Sequence, residues 1–332
     1  MRAGDAKAGG QCTGIQEDMM FAVVIEGGSV AWRERPDPVP ADDELLVAVR
    51  AAGVNSADLA QARGLYPAPP GYPQDIPGLE LAGEVLGTGS RVTRHAPGDR
   101  IMALVGGGAQ ATLATVPEGH ALAVPSGLSW AEAGGFPEVF FTAFDALFTQ
   151  AGLAVGERVL VTGAAGGVGT AAVQLAAVAG AHVVACVRDP QRRPAVAELG
   201  AAQVVPPEEV GDHGPYHVIL ELVGAASLAA ALPALATRGR VVVIGVGAGG
   251  RLDLDLQQLM SKRAQLRGST LRARSRDEKA VLTADVERQL LALLAGGRIR
   301  VPVLQTLPIG EASRAYQMFV EPGKLGKIVL VA

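Results

Sequence analysis

The segment Gly163-Ala-Ala-Gly-Gly-Val-Gly169 has the residue types and spacing of a turn that binds a dinucleotide. An apolar run, Val159–Thr162, precedes it, and an alanine-rich segment, Thr170–Gly180, follows it. Glycines between a strand and a helix let the backbone approach a pyrophosphate, and the amides and dipole at a helix start favour its charge. Because the spacing is not Gly-x-Gly-x-x-Gly, a glycine-rich turn of any α/β protein is the alternative interpretation. The residues predicted to contact the dinucleotide here are Gly163, Ala165, Gly166, Gly167, Val168 and Gly169.

Basic residues after the next predicted strand indicate which dinucleotide would bind. That strand is followed by Arg188 and then by Arg192 and Arg193. Asp189 precedes a proline, which is typical of a helix cap rather than of a carboxylate that binds a ribose hydroxyl. Arg188, with Arg192 or Arg193, is therefore predicted to pair with a 2′-phosphate, which favours NADPH over NADH. A solvated basic helix start is the alternative.

From residue 158 onward, strands alternate with helices. Strands are predicted at 158–163, 182–187, 203–206, 217–223, 240–246 and 265–271, and helices at 167–179, 191–199 and 226–236. Six strands with helical crossovers predict a doubly wound parallel sheet, in which cofactor contacts gather at the carboxyl ends of the strands. Ile244, Gly245 and Val246 end one of these strands and are predicted to contact the cofactor.

The segments before and after this region of strand–helix alternation show different patterns. Short strands punctuated by glycine and proline make the part before residue 140 mostly β. Capping boxes at Ser129-x-x-Glu132 and Ser275-x-x-Glu278 predict helices to about Gln150, with a break near Pro137, and to about Leu294. The tail is predicted to form a strand at 301–304, a helix at 310–320 and a strand at 327–331, and to return to the first domain.

Composition excludes several classes of protein. In 332 residues, 49% are hydrophobic and 19% charged, which excludes a largely disordered chain. A net charge of -4 and 4% aromatic residues argue against nucleic acid as a partner. With no signal-peptide segment and no apolar run of membrane-spanning length, a cytoplasmic protein without membrane association is expected. Cys12 and Cys186 are not expected to form a disulfide, and residues 1–18 are expected to be a flexible extension.

Several motifs occur in order over residues 19–332: Gly53-Val-Asn-Ser-Ala-Asp58, Ile76-Pro-Gly-Leu-Glu-Leu-Ala-Gly-Glu84, Pro97-Gly-Asp-Arg-Ile-Met102, Phe141-Thr-Ala-Phe144, the glycine turn and Gly326-Lys-Ile-Val329. This order resembles the medium-chain dehydrogenase/reductase superfamily in its zinc-free quinone oxidoreductase branch. Within that branch, Tyr66-Pro-Ala-Pro-Pro-Gly71, Val116-Pro-Glu-Gly119 and Arg272-Ala-Arg-Ser-Arg-Asp277 resemble the p53-inducible type of quinone reductase. The resemblance implies an α/β fold with a GroES-like β-rich catalytic domain (19–140), a Rossmann NADPH-binding domain with a doubly wound parallel sheet (141–273) and a C-terminal segment (274–332) that rejoins the catalytic domain. It also implies a homodimer formed through Rossmann edge strands.

The resemblance assigns roles to four further residues. Asn55 would reach the nicotinamide ribose or the acceptor, with a turn-forming asparagine as the alternative. Tyr66 would hydrogen-bond a quinone oxygen or relay a proton, unless it only packs beside its proline-rich loop. Thr142 would contact the cofactor, and Lys327 would approach it or lie on the surface. Since Asn55 and Leu79 stand where zinc-dependent relatives hold the metal with Cys and His, no metal site is predicted.

The function expected from the sequence is therefore zinc-free transfer of hydride from NADPH to a quinone or related conjugated carbonyl. Its proton would come from Tyr66 or from water. A double-bond reductase acting on enals, enones or enoyl thioesters is the nearest alternative. A non-catalytic NADPH-binding protein of the crystallin kind is the alternative from a different class.

Overall fold

A computed structural model describes residues 19–332, so the predicted N-terminal extension and Cys12 lie outside the described residues. The strands are β1 (Met19–Glu26), β2 (Ser29–Pro36), β3 (Glu44–Gly53), β4 (Glu80–Thr88), β5 (Arg100–Leu104), β6 (Leu113–Pro117), β7 (Ala121–Ala123), β8 (Arg158–Val161), β9 (His182–Cys186), β10 (Gln203–Val205), β11 (Tyr216–Glu221), β12 (Leu235–Val243), β13 (Gln265–Gly268), β14 (Val303–Pro308) and β15 (Lys327–Val331). The helices are α1 (Ser56–Ala62), α2 (Trp130–Gly134), α3 (Pro137–Phe144), α4 (Gly167–Val178), α5 (Arg193–Ala197), α6 (Ala225–Ala231), α7 (Leu256–Lys262), α8 (Arg276–Ala295) and α9 (Ala312–Val320).

The doubly wound parallel sheet predicted from the sequence is confirmed. Its six strands lie in the order β10-β9-β8-β11-β12-β13, and all neighbouring pairs are parallel. The strand order reverses between β8 and β11, and the carboxyl ends of strands at such a switch point leave a crevice for a ligand. The glycine turn leaves β8 at this crevice.

A second, mostly antiparallel sheet forms beside it in the order β14-β15-β3-β4-β5-β7, with β6 also paired to β3. The last strand of the chain, β15, runs antiparallel to β3, with Val329 opposite Gly53. Residues more than 270 positions apart therefore lie side by side, and Lys327 is carried to the segment that follows β3. The domain limits at residues 140 and 273 stay a prediction.

Capping residues and prolines in the sequence predicted most helix ends correctly. Ser129 and Ser275 cap α2 and α8 by accepting the amide of the glutamate three residues later, and Asp189 accepts the amide of Gln191. The expected break at Pro137 separates α2 from α3, which continues as a π-helical turn to Gln150.

The differences from the prediction include three helices. The helix expected at 191–199 is a 3-10 turn followed by the short α5, because prolines at 190 and 194 remove amide donors. The helix expected to reach residue 236 ends at Ala231, just before Pro233, and β12 begins at Leu235. Helix α7 was not predicted, although Asp255 caps it by accepting the amides of its second and third residues, Gln257 and Gln258. Between residues 19 and 332, no helix is long and apolar enough to cross a membrane.

Candidate active site

The glycine turn is built so that backbone, rather than side chains, faces the crevice. Gly163 has φ +58°, and a Cβ at Gly169 would lie 2.4 Å from the carbonyl oxygen of Gly163. Gly166 precedes α4, and the first amides of a helix have no partner within the helix. Alanines on the buried face of α4, among them Ala171, Ala172 and Ala176, let the helix lie close to the sheet. The turn therefore presents free amide groups at the switch point.

Two cavities meet at this turn and share Gly163 and Gly166. The first, which we call the β9 cavity, has a volume of about 490 Å³ and extends past Arg188, Arg192 and the start of α6. The second, the cleft cavity, has a volume of about 630 Å³ and opens between the two sheets. Two adjoining cavities with a glycine turn between them match the shape of a dinucleotide, whose two halves flank a pyrophosphate.

The cleft cavity brings together most of the residues singled out in the sequence. Asn55 follows β3, Tyr66 follows α1, and Thr142 lies on α3. The rest of the predicted set that lines this cavity is the glycine turn (Gly163, Gly166, Gly167, Val168 and Gly169) and the end of β12 (Ile244, Gly245 and Val246). Ala165 lines the β9 cavity instead.

The arginines after β9 have different environments. Arg188 is exposed and lines the β9 cavity. Arg192 also lines it, and its Nε donates to the carbonyl oxygen of Gly323 at 2.7 Å. Arg193 is not among the lining residues, because its Nε donates to the carbonyl oxygen of Val187 at 3.1 Å. Arg188 is thus the arginine best placed to meet an anionic ligand.

The surface position considered for Lys327 is wrong, because its side chain is only 3% exposed. Its Nζ donates to Oε1 of Glu80 at 2.6 Å, to Oδ1 of Asn55 at 2.6 Å and to the carbonyl oxygen of Val54 at 3.1 Å. The Asn55 amide nitrogen donates in turn to Oε1 of Glu80 at 2.9 Å. Lys327 lines neither cavity. It therefore holds Asn55 in place from beneath the cleft.

Asp58 adds a second buried carboxyl group to this region. It accepts the backbone amides of Asn55 at 2.8 Å and Gly78 at 3.1 Å, and the side-chain amide of Gln110 at 3.2 Å. Burial raises the pKa of Asp58 from its ordinary 3.8 to about 7, although these hydrogen bonds and the charges of Lys327 and Arg272 act in the opposite direction. The folded protein thus takes up a proton here near neutral pH.

We expect this proton to make stability depend on pH. The pKa of Asp58 is higher in the folded state than in the unfolded state. The contribution of this group to the free energy of unfolding is therefore fully present below about pH 4 and is lost as the pH rises to about 7. When the pH is raised from 5 to 8, the free energy of unfolding should therefore fall for both proteins, but by roughly 2–3 kcal/mol less for Asp58→Asn than for the wild type. Urea denaturation of both proteins at the two pH values measures this difference. Equal losses of stability in the two proteins would contradict this expectation.

Arg272 was not predicted as a site residue, although it lies in a motif that carries the resemblance. Its guanidinium lies 5.1 Å from the ring centre of Tyr66, and its Nη1 donates to the carbonyl oxygen of Tyr66 at 2.7 Å. It also bonds to the side chain of Gln61 on α1 and to the carbonyl oxygen of Gly106. Arg272 therefore fixes the position of Tyr66. Burial raises the pKa of the Tyr66 phenol, which stays protonated at neutral pH.

Glu138 is a second residue that the sequence did not indicate, since Pro137-Glu138 reads as an ordinary helix start. It lines the cleft cavity, and its backbone amide donates to Oε2 of Glu80 at 2.8 Å. Burial, followed by the charge of Glu80, raises the pKa of the Glu138 carboxyl to about 8.

The donors that line the cleft do not resemble a metal site. Leu79 is buried and lines it, and an alkyl side chain cannot bind a metal. Among residues 19–332, no group of three or more His, Cys, Asp or Glu is arranged to hold a metal ion.

Comparison with known proteins agrees with this architecture. Residues 41–126 match the alcohol dehydrogenase GroES-like domain, and residues 167–286 match the zinc-binding dehydrogenase family. The chain is 30% identical over 299 residues to the quinone oxidoreductase-like protein 2 homolog of Nematostella vectensis, covering 86% of this chain and 81% of the relative. It is also 30% identical over 343 residues to the acryloyl-coenzyme A reductase of Metallosphaera sedula, covering 94% and 99%.

A solved structure gives the same fold. It is an alcohol dehydrogenase superfamily protein from Novosphingobium aromaticivorans, with a TM-score of 0.84 and 29% identity over 94% of this chain and 99% of that one. Given this fold and a quinone oxidoreductase-like relative matched over most of its length, the chain belongs to the medium-chain dehydrogenase/reductase superfamily of oxidoreductases, in its quinone oxidoreductase-like branch.

Proposed function

We propose that this protein is an NADPH-dependent reductase that transfers hydride to quinones or related conjugated carbonyl compounds without a metal. The observation that carries the proposal is the pair of cavities on either side of the glycine turn. One contains the exposed Arg188, and the other contains Asn55, Tyr66 and Thr142. An anion-binding pocket and a reaction cleft are thus joined by a backbone that can bind a pyrophosphate.

The residues present fit the cofactor. Backbone amides at Gly167 and Val168 would hold its pyrophosphate, and Arg188 and Arg192 would hold the 2′-phosphate. Asn55, Thr142 and the segment Ile244–Val246 line the space for its nicotinamide half. NADPH, when bound, supplies the hydride. Ala165 would lie beside its adenosine half, whereas Arg193 and Lys327 support the site from behind, through Val187 and Asn55.

The acceptor would lie in the cleft cavity against Tyr66. A neutral phenol can donate a hydrogen bond to the carbonyl oxygen on which negative charge develops, and the guanidinium of Arg272 over the ring strengthens that donor. Polarisation by O–H and N–H groups would take the part that zinc plays in metal-dependent members. Activation of the acceptor without a metal is consistent with the side chains that line the cleft.

The proposal is tested by measuring NADPH oxidation by purified, chelator-treated protein with an ortho-quinone as acceptor and with NADH in parallel. Turnover that prefers NADPH is the expected result. NADPH binding without turnover of any acceptor would favour a non-catalytic, crystallin-like role instead.

Arg188→Ala should erode the preference for NADPH. A charge-assisted contact with a phosphate contributes about 1.5–3 kcal/mol, so the ratio of kcat/KM for NADPH over NADH should fall roughly 10- to 100-fold. The activity with NADH should be little changed. Arg193→Ala is the matched variant, and we expect a smaller effect because its guanidinium is directed at backbone carbonyl groups. An unchanged ratio in Arg188→Ala would refute the phosphate contact.

A double-bond reductase is the second candidate, and the similarity to an acryloyl-coenzyme A reductase over nearly the whole chain favours it. The same cleft could direct hydride to the β-carbon of an enoyl thioester. Comparing kcat/KM for acryloyl-coenzyme A and for an ortho-quinone separates the two.

The assembly that we propose is a homodimer formed through β13, which is one of the two edge strands of the parallel sheet and exposes Leu266. Light scattering of the purified protein tests it. A cytoplasmic location stays a prediction from the sequence.

A further inference from the structure

The carboxyl group of Glu138 has no role in the function proposed above, yet it lies in the reaction cleft. Glu138 is the second residue of α3 and lines the cleft cavity together with Tyr66 and Asn55. Its Oε2 is buried and has no hydrogen-bond partner among residues 19–332. A carboxylate with an unpartnered buried oxygen is costly, whereas a neutral carboxylic acid costs much less and can donate a proton.

The neighbouring Glu80 already carries the negative charge of this region. Its Oε1 accepts from Lys327 and Asn55, and its Oε2 accepts the backbone amide of Glu138. Three donors thus pair with Glu80, and a second negative charge on Glu138 would lie directly beside the first. The titratable and charged groups that face Glu138 are Glu80, Lys327, Asp58, Arg272, Tyr66 and Lys279.

The environment of Glu138 favours its neutral, protonated form, whereas Glu80 lies directly against the Lys327 ammonium. Desolvation and the charge of Glu80 raise the pKa of Glu138 to about 8, while Lys327 and Arg272 act in the opposite direction. Many enzymes contain two neighbouring carboxyl groups in different environments, and the one whose pKa is raised acts as the general acid.

We propose that Glu138 is the general acid that protonates the reduced acceptor, a role that rests on the reductase function proposed above. Hydride from the reduced nicotinamide brings two electrons and one hydrogen to the acceptor. The O–H bond of Glu138 breaks, and its proton forms an O–H bond on the quinone oxygen, so that quinone, hydride and proton together give the hydroquinone. Lys327 and Arg272 stabilise the Glu138 carboxylate that remains. A proton from water entering the cleft then restores the acid.

Glu138 is better matched to this step than Tyr66. Burial raises the pKa of Tyr66 above its ordinary value of 10, so its phenol is the weaker acid of the two. A general acid is most effective when its pKa lies near the working pH, which favours the carboxyl group. Tyr66 would then orient the acceptor through a hydrogen bond while Glu138 supplies the proton.

The test compares Glu138→Gln, Tyr66→Phe and the wild type. Removing a general acid should lower kcat roughly 100-fold or more at pH 7, with the Kd for NADPH unchanged. In the wild type, kcat should fall as the pH rises above about 8, since the acid must be protonated, and this decline should be absent from Glu138→Gln and retained in Tyr66→Phe. Glu311→Gln, which replaces an exposed glutamate paired with Arg314, is the control for the same exchange of side chain away from the cleft.

Infrared difference spectra over a pH titration give a readout independent of turnover. The wild type loaded with NADPH should show two protonated carboxyl bands, one from Asp58 that is lost near pH 7 and one from Glu138 that is lost near pH 8. Only the second should be missing from Glu138→Gln. If that variant does not fold, Glu138→Asp replaces it, with a reduced kcat and a retained pH decline expected. Unchanged kcat in Glu138→Gln, or the same protonated bands in Glu138→Gln as in the wild type, would overturn the acid role alone. Lack of wild-type turnover with every quinone and enoyl thioester would reject the reductase function itself.

Discussion

Replacing Lys327 with methionine is expected to lower the free energy of unfolding by about 3–5 kcal/mol. The Lys327 ammonium and the Glu80 carboxylate, 2.6 Å apart, are 3% and 0% exposed. Methionine fills a similar volume but leaves the Glu80 charge buried with no cation beside it, which is more costly than losing an exposed ion pair. Urea denaturation at pH 7 measures the change. Because Lys327 also donates to Asn55, the variant should bind the nicotinamide half of the cofactor less well.

Two further variants separate a buried charge from a general loss of packing. Adding Glu80→Gln to Lys327→Met removes the unpaired charge and should recover a large part of the lost stability. Arg50→Met breaks the exposed pair Arg50–Glu84, whose side chains are 47% and 40% exposed, and should cost less than about 1 kcal/mol. A double variant as unstable as Lys327→Met would show that packing, rather than charge, accounts for the effect.

Gly166→Val is expected to abolish detectable NADPH binding while leaving the fold intact. Gly166 has φ -74° and ψ 170°, which any L-residue adopts, and a Cβ there would approach only the carbonyl oxygen of Gly163, at 3.4 Å. The added side chain would instead project into the space that both cavities share. Loss of at least 100-fold in affinity, or about 2.7 kcal/mol, is expected from titration of the cofactor's fluorescence.

Gly169→Val is the matched comparison within the same turn. A Cβ at Gly169 would lie 2.4 Å from the oxygen of Gly163 and 2.6 Å from the Cα of Ala164, and backbone atoms cannot move away as a flexible side chain would. This variant should lose stability as well as cofactor binding, so its thermal midpoint should fall while that of Gly166→Val does not. Normal NADPH affinity in Gly166→Val would show that the turn is only structural.

The sequence by itself determined the elements whose signals lie within a few neighbouring residues. The glycine turn between β8 and α4, the caps at Ser129, Asp189 and Ser275, and the strand–helix alternation all depend on backbone dihedral angles, short-range hydrogen bonds and side-chain periodicity. These local rules also predicted the parallel sheet and the residues at its carboxyl edge. They failed where two local preferences competed, as between α6 and β12.

The tertiary structure alone decided which charged side chains meet beneath the cleft. Lys327 reaches Glu80 and Asn55 only because β15 pairs with β3, and no local pattern around Lys327 predicts that its side chain is buried against a carboxylate. Arg272 meets Tyr66 across more than 200 residues, and Glu138 becomes a buried acid only because Glu80 lies against the start of α3. Burial and pairing of charges depend on strand partners distant in the chain, and these same two quantities set the pKa values and the free energies on which the proposed chemistry depends.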